Sequence, residues 1–213
     1  MNGETALHTD ILTETQKNVL KKLAMILSGT DFYLAGGTAL ALQIGHRMSI
    51  DFDWFIPRLG DPDILFRKIK NAGIDYTAVS IDIETIYLNI DGIQVSFIGY
   101  DYPLFAPKIL LNEYDIYLAS PDDIACMKLS AIGGRGSRKD FIDIYFLIKQ
   151  FRSLDDYLRI YMQKFNTRDI GHIVRSLVYF DDAEAEPEIK MVKPISWENL
   201  KADMEKSVKK LKL

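Results

Sequence analysis

The chain has 213 residues, the length of one domain or of one domain with a sizeable extension. Hydrophobic residues make up 48% and charged residues 26%, ordinary globular values that argue against a disordered chain. Set against 30 Asp and Glu, the 26 Lys and Arg leave a net charge of −4, which excludes a globally basic nucleic-acid binder but not a local basic patch.

The first ten residues read as a loose arm. Met1 to Ala6 has neither a basic region nor an apolar core, so it does not read as a signal peptide. Thr13-Glu14-Thr15-Gln16 is a capping box, and Val19, Leu20, Leu23 and Leu27 follow at helical spacing. Phe32 to Ala35 is a short apolar strand, broken by Gly36-Gly37-Thr38, and Ala39 to Ile44 restarts as a helix ending near Gly45. Phe32 to Gly45 is the longest uncharged run; at 14 residues it is too short to span a bilayer. Ser49 to Ile56 alternates as a second strand. Asp61-Pro62 opens a helix that Gly73 ends. Ile83 to Ile90 and Ile93 to Tyr100 are two strands joined by Asp91-Gly92, a tight hairpin turn, and residues 101–119 are a mixed connection.

From there the pattern is helical. Ser120, Ser137 and Ser153 cap three helices, and Ile170, Ile173, Val174, Leu177 and Val178 make a fourth. Asp181 to Glu188, with five carboxylates in eight residues, reads as a solvated loop. Trp197, Leu200, Met204, Val208 and Leu211 stripe a last helix, whose polar face carries Lys206 to Lys212. The pattern predicts an α+β fold: a mixed α/β half over residues 11–115, then a helical region over 118–213 packed on it or continuous with it. No flexible linker separates them. A single cysteine, Cys126, excludes an intramolecular disulfide, and the chain reads as soluble and cytoplasmic with no membrane partner.

The chemistry concentrates in Leu34 to Phe55. A strand runs into Gly36, Gly37 and Thr38 at a helix start, where backbone can approach a ligand closely and free N–H groups suit phosphate. The next strand carries Asp51 and Asp53, which share a face about 7 Å apart while Phe52 and Trp54 take the buried face. Two carboxylates on one face suit Mg²⁺ (or Mn²⁺), which takes oxygen ligands and bridges to substrate phosphates. A Gly-Gly-Thr is usually only a turn, and an Asp-x-Asp is common on exposed strands. The combination in this order points to phosphoryl or nucleotidyl transfer.

The pattern resembles the nucleotidyltransferase signature of the DNA polymerase β superfamily. The wider run Tyr33-Leu-Ala-Gly-Gly-Thr-Ala-Leu-Ala-Leu42, with Arg47, Asp51 and Asp53, is more narrowly similar to the AbiEii/AbiGii family of minimal nucleotidyltransferases. Several members of that family are toxins of abortive-infection toxin–antitoxin pairs. The segment Lys128-Leu-Ser-Ala-Ile-Gly-Gly-Arg-Gly-Ser-Arg-Lys-Asp-Phe-Ile-Asp-Ile-Tyr145 resembles the family's downstream motif, and the likeness extends to Tyr179-Phe-Asp-Asp-Ala-Glu184 and Lys193-Pro-Ile-Ser-Trp197. The resemblance thus runs from about residue 17 to near the C-terminus.

It implies a minimal nucleotidyltransferase core with a mixed sheet, NTP as substrate, and transfer of a nucleoside monophosphate to an acceptor hydroxyl of RNA, such as tRNA, or of protein. A cognate antitoxin is an implied partner. Gly36, Gly37 and Thr38 cradle phosphates in this reading, Asp51 and Asp53 hold the metal, and Lys128 and Arg135 neutralise the triphosphate. Asp140 is the candidate base, with Asp143 second; the alternative is that the substrate hydroxyl loses its proton to water. Simpler readings stand beside these. Asp140 lies at N3 of a helix, where a carboxylate favours the helix terminus, and Asp143 could pair with Lys139 at i, i+4.

One departure from the superfamily stands out. Its third carboxylate, expected on the strand Ile93 to Gly99, is replaced by Ser96, a poor base and a weak Mg²⁺ ligand. Asp91, the weaker alternative, is explained by its turn. The rival readings are a nucleotide-binding regulatory protein with an impaired site, or a non-enzymatic interaction module. Cys126 reads as a buried helix residue, His172 as a structural residue of an apolar helix, and His46 as a helix-end residue or a substrate contact.

Overall fold

The computed structural model describes residues 7–212, so the reading of Met1 to Ala6 as lacking a signal peptide, and most of the loose arm, lie outside the described residues. Thr9–Ile11 form a single 3₁₀ turn. The chain divides into two compact units. One runs up to Gly45 and adds Ser49–Pro103 and Pro107–Ala119; the other comprises His46–Met48, Leu104–Ala106 and the chain from Ser120 onward.

The first unit is a seven-stranded mixed sheet with helices. In chain order its elements are α1 (Glu14–Leu27), β1 (Tyr33–Ala35), α2 (Gly36–Ile44), β2 (Phe52–Ile56) and α3 (Pro62–Asn71), then β3 (Thr77–Asp82), β4 (Thr85–Ile90), β5 (Ile93–Gly99), β6 (Ile109–Leu111) and β7 (Ile116–Leu118). The strand order is β3-β4-β5-β2-β1-β7-β6. Pairs β2/β5 and β1/β7 are parallel and the others antiparallel.

The capping box that starts α1 forms in both directions: the Gln16 N–H donates to Thr13 Oγ1 at 3.2 Å, and the Thr13 N–H to Gln16 Oε1 at 3.1 Å. Val19, Leu20, Leu23 and Leu27 are buried, and α1 packs on β5. One face of the sheet is the core, with Leu34, Phe52, Trp54, Val95, Phe97, Ile86 and Leu88 all fully buried. At the hairpin tip Asp91 and Gly92 have φ of 52° and 82°, the two positive values that a tight two-residue turn between β4 and β5 requires.

Three strands were not expected. Strands β6 and β7 fall within the predicted mixed connection; at three residues each they are too short to show period-two alternation. Strand β3 is an edge strand with Ile81 half-exposed, so its pattern is not that of a buried segment. Strand β2 begins only at Phe52, because residues 49–51 are tied by side chains rather than by a ladder.

The second unit is helical: α4 (Pro121–Gly134), α5 (Arg138–Gln150), α6 (Leu154–Lys164), α7 (Gly171–Ser176), α8 (Asp181–Glu184) and α9 (Trp197–Lys209). Helix α4 packs against α5, α6 and α7, while α5 packs against α8 and α9. The expected caps accept hydrogen bonds at Ser120 and Ser153, and Ser196 caps α9 in the same way. Ser137 stands at the N-cap of α5, but its hydroxyl bonds the Asp140 carboxylate instead of a backbone N–H.

The acidic stretch read as a solvated loop contains α8. Its carboxylates favour a helix N-terminus, and Ala183 is fully buried beneath them. Phe141, Phe180 and Trp197 pack as an aromatic trio with centroids 5.0–6.1 Å apart. Two residues of the C-terminal likeness therefore serve packing. Among the described residues, no helix is long and apolar enough to cross a membrane.

Candidate active site

The site in the first unit is built where β1 turns into α2. Gly36 opens α2 with φ +66°, a left-handed conformation that L side chains rarely adopt. A Cβ placed on it would lie 2.5 Å from Asp53 Oδ2. Glycine at 36 therefore does two things: it makes the turn, and it lets the Asp53 carboxylate close on the turn. Ala35 has no side-chain cap to offer α2, so no capping side chain takes the free N–H groups of the first turn.

Across the sheet, Asp53 stands in register between Ala35 of β1 and Ser96 of β5, so all three point to one face. Phe52 and Trp54 point to the buried face, as the alternation predicts. Asp53 is half-buried, and Asp51, also half-buried, precedes the strand. Thr38 is buried; its hydroxyl donates to the Asp51 carbonyl and accepts from the Ser49 hydroxyl at 2.9 Å. Thr38 thus ties the start of α2 to the residue that carries the first carboxylate, and only its backbone remains for a phosphate.

The donor set at this place is hard oxygen, with two carboxylates two residues apart beside a turn of free N–H groups. That chemistry fits Mg²⁺ or Mn²⁺, which takes one or two carboxylates and completes its shell with water and substrate phosphates. Among the described residues there is no group of three or more His, Cys, Asp or Glu arranged to hold a metal by itself.

The downstream motif builds a different structure in the second unit. Asp143 is fully buried on α5. Its Oδ1 accepts from Arg47 Nε at 2.7 Å and lies 2.7 Å from His46 Nε2; Oδ2 accepts from Arg47 Nη2 at 2.9 Å and pairs with Lys128 Nζ at 2.6 Å. Asp140, one turn earlier and also fully buried, accepts from Lys128 Nζ at 2.9 Å, Ser137 Oγ at 2.7 Å and Arg135 Nε at 3.2 Å. Arg47, Lys128, Asp140 and Asp143 carry two positive and two negative charges, so the buried cluster is neutral as a whole.

Burial alone would push both carboxyls up. For Asp143 the charges of Arg47 and Lys128 and the bonds from His46 and Arg47 overcome it and hold the group well below the usual carboxylate range. For Asp140 the Lys128 charge and the Lys128 and Ser137 bonds do the same. Lys128, pushed down by burial, is raised by the two aspartates and stays charged. For His46, burial dominates over the bond and charge of Asp143, so its pKa is lowered and the ring is neutral near pH 7.

These positions bear directly on the sequence reading. Lys128 is only 5% exposed and spends its ammonium on Asp140 and Asp143, whereas the Arg135 side chain is 64% exposed. Asp140 has both oxygens engaged and no surface, which is the setting of a structural anion rather than of a base. Asp143 does not pair with Lys139 on the helix surface; its partners are 15 to 97 residues away in sequence or more than a turn distant. Arg138 is used in packing, its guanidinium 4.8 Å over the Trp197 ring and its Nε bonded to the Ala183 carbonyl. Cys126 is buried on α4, where burial pushes its thiol up to about 12.

Sequence reasoning missed His46 and Arg47 as partners of Asp143. The available signal was a charge inside an apolar run: Lys128 sits in Ile124-Ala-Cys-Met-Lys-Leu-Ser-Ala-Ile132, and Asp143 in Phe141-Ile-Asp-Ile-Tyr-Phe146. A charged residue there must be exposed or paired.

Comparison with known proteins places the chain. A family model described as nucleotidyl transferase AbiEii toxin, type IV toxin–antitoxin system, matches residues 18–103 and 68–212. An uncharacterized protein of Aquifex aeolicus is 38% identical over 202 residues, which is 93% of this chain and 96% of that one. Two solved structures share the fold. One, from H. pylori and described as a nucleotidyltransferase, has a TM-score of 0.59 at 18% identity over 93% of this chain and 95% of that one. The other, the nucleotidyltransferase toxin MenT4 of Mycobacterium tuberculosis, has a TM-score of 0.60 at 15% identity over 94% and 86%.

Two outcomes are expected. Gly36→Ala and Gly60→Ala both force alanine into a left-handed backbone, at a cost of roughly 1–2 kcal/mol each, but nothing lies within 4 Å of a Cβ at Gly60. Thermal melts should show both losses, with the larger at Gly36, and only Gly36→Ala should weaken nucleotide binding. Equal effects would show that Asp53 is not pinned against the glycine. The second outcome concerns pH. The folded His46 titrates below its ordinary 6.5, so the unfolded chain binds the extra proton first as pH falls through that value, and stability drops. The melting temperature should fall between pH 7.5 and 5.5, and His46→Gln should shrink that difference. An unchanged difference assigns the slope to another group.

Proposed function

Because the chain belongs to the AbiEii nucleotidyltransferase toxin family, its activity is nucleotidyl transfer, and we propose that the transfer occurs at Asp51, Asp53 and the Gly36-Gly37-Thr38 turn. The observation that carries this reading is the approach of the Asp53 carboxylate to Gly36, which leaves no room for a Cβ and brings a metal-binding oxygen to a phosphate-binding turn. The backbone of Gly37 and Thr38 at the α2 N-terminus would receive the β- and γ-phosphates, aided by the helix dipole.

Asp51 and Asp53 would hold Mg²⁺ or Mn²⁺, which supplies charge stabilisation at the α-phosphate. An acceptor hydroxyl oxygen attacks the α-phosphorus, the α–β phosphoanhydride bond breaks, pyrophosphate leaves, and the hydroxyl proton passes to water. Arg135 has a mostly exposed side chain whose Nε bonds Asp140, a cation open to an anionic ligand. Lys128 and Asp140, buried and bonded to each other, fix Arg135 in this reading rather than serving as triphosphate ligand and base. RNA is the proposed acceptor class, and a cognate antitoxin the proposed protein partner.

Calorimetry with each NTP should show binding that depends on Mg²⁺ or Mn²⁺ and is lost with EDTA. The Asp51→Asn/Asp53→Asn double variant should lose it while keeping its melting temperature. Binding that the double variant retains in full removes the metal role. Incubation with labelled NTP and total RNA should then label an acceptor. Metal-dependent binding with no labelled product from RNA or protein favours the rival regulatory reading, for which Ser96 beside Asp53 is the specific observation.

Ser96→Asp tests the same point. Ser96 is 1% exposed and in register with Asp53, so a carboxylate there stands beside the pair. If the site lacks a base, the rate should rise by up to ~10²–10⁴-fold. A neutral or lowered rate shows that another group already takes the proton, and overturns its transfer to water.

A further inference from the structure

From His46 to Asp51 the chain has neither helix nor strand of its own beyond a single bridge between Arg47 and Met191, yet the carbonyls of His46 and of Met48 through Asp51 are each held. The His46 carbonyl accepts from the N–H groups of Val192 and Lys193, both at 2.9 Å. The Met48 carbonyl accepts from Arg47 Nη1 at 3.0 Å, and the Met48 N–H donates to the Lys190 carbonyl at 2.8 Å. Gln16 Nε2 donates to the carbonyls of Ser49 and Ile50 at 2.8 and 3.0 Å, and the Thr38 hydroxyl donates to that of Asp51. Regular secondary structure would satisfy these groups without help. Here each is satisfied by a dedicated partner, so the path of the connector is specified residue by residue.

Arg47 is the most demanding of these devices. It is 3% exposed, and its fork closes on Asp143 through Nε and Nη2 while Nη1 turns back to Met48. A buried ion pair adds little to stability over a hydrophobic filling of the same volume, because the desolvation of both charges offsets their attraction. What the planar fork adds is direction: with Nε and Nη2 fixed on Asp143, the rigid guanidinium aims Nη1 at the Met48 carbonyl.

We propose that Arg47, held by Asp143, is a positioning residue that fixes the connector from which Asp51 and Asp53 emerge, and so sets the metal affinity of that carboxylate pair. The inference rests on the proposed site and deepens it. It makes the buried cluster of the downstream motif a support for the metal-binding segment, without contact to substrate. Groups that orient metal ligands from behind typically change metal affinity by roughly 10–100-fold when removed.

The test uses the full chain with Arg47→Lys and, as a control for general loss of stability in the same unit, Arg152→Ala, which breaks the Arg152–Asp122 pair on the surface. Two readouts are taken at a temperature where all proteins are folded. Hydrogen exchange, measured without nucleotide or metal, should speed up at the amides of residues 48–53 in Arg47→Lys and stay unchanged there in Arg152→Ala. The Mg²⁺ concentration that half-saturates NTP binding should rise about tenfold or more in Arg47→Lys, with KM for NTP at saturating Mg²⁺ near the wild-type value. Unchanged exchange at 48–53 overturns the proposal whether or not the protein binds nucleotide. Faster exchange with unchanged Mg²⁺ dependence overturns its link to the metal, and failure of Arg47→Lys to fold makes the residue a stability element only. If wild-type protein itself shows no metal-dependent binding, the site reading fails, and the exchange result alone decides whether Arg47 fixes the connector.

Discussion

The grip of Arg47 on Asp143 is the interaction on which most else depends. It joins residues 96 positions apart, lies out of reach of water, and is sensible only as part of a neutral set with Lys128 and Asp140. Remove one member and an uncompensated charge remains in a low-dielectric interior, at a cost of about 3–5 kcal/mol. That dependence explains why the downstream motif needs its particular spacing. Lys128 on α4 must reach two carboxylates one turn apart on α5, and the glycine-containing turn between the helices lets it, with Gly136 at φ +56°.

The same device appears a second time. Asp123, fully buried near the start of α4, accepts from the amides of Phe105 and Ala106 at 2.8 and 3.2 Å and pairs with Lys164 at 2.7 Å, both side chains shut away from water. The two short segments that leave the β-rich stretch and count with the helical unit, residues 46–48 and 104–106, are thus each held by a buried aspartate with a buried lysine beside it. A carboxylate can accept from several donors at once, so one side chain orders a loop that has no ladder.

The sequence made some of this legible and hid the rest for identifiable reasons. Helix caps at Thr13, Ser120 and Ser153 are local, and a local rule finds them. The Gly36 turn and the Asp51/Asp53 pair are close enough in the chain to be read together, and the register that sets Ser96 beside Asp53 follows once β2 and β5 are paired. Short strands such as β6 and β7 carry too few residues for a period. The burial and mutual pairing of Lys128, Asp140 and Asp143 were not legible, because residue type alone cannot tell a solvated charge from a buried one. The apolar neighbours of Lys128 and Asp143 carried that information, but two partners of Asp143, His46 and Arg47, come from nearly a hundred residues earlier, and only the fold brings them together.

Cys126 lies on α4 between Asp123 and Lys128, and it is the sole cysteine of the chain. With no exposed surface and a thiol held in its protonated form, it is inert to alkylating or disulfide reagents while the helix is closed. Any reaction must then report an opening around α4, the helix that carries Asp123 and Lys128. The rate of thiol modification under native conditions becomes a direct gauge of how often that region opens, read from one atom the protein already carries.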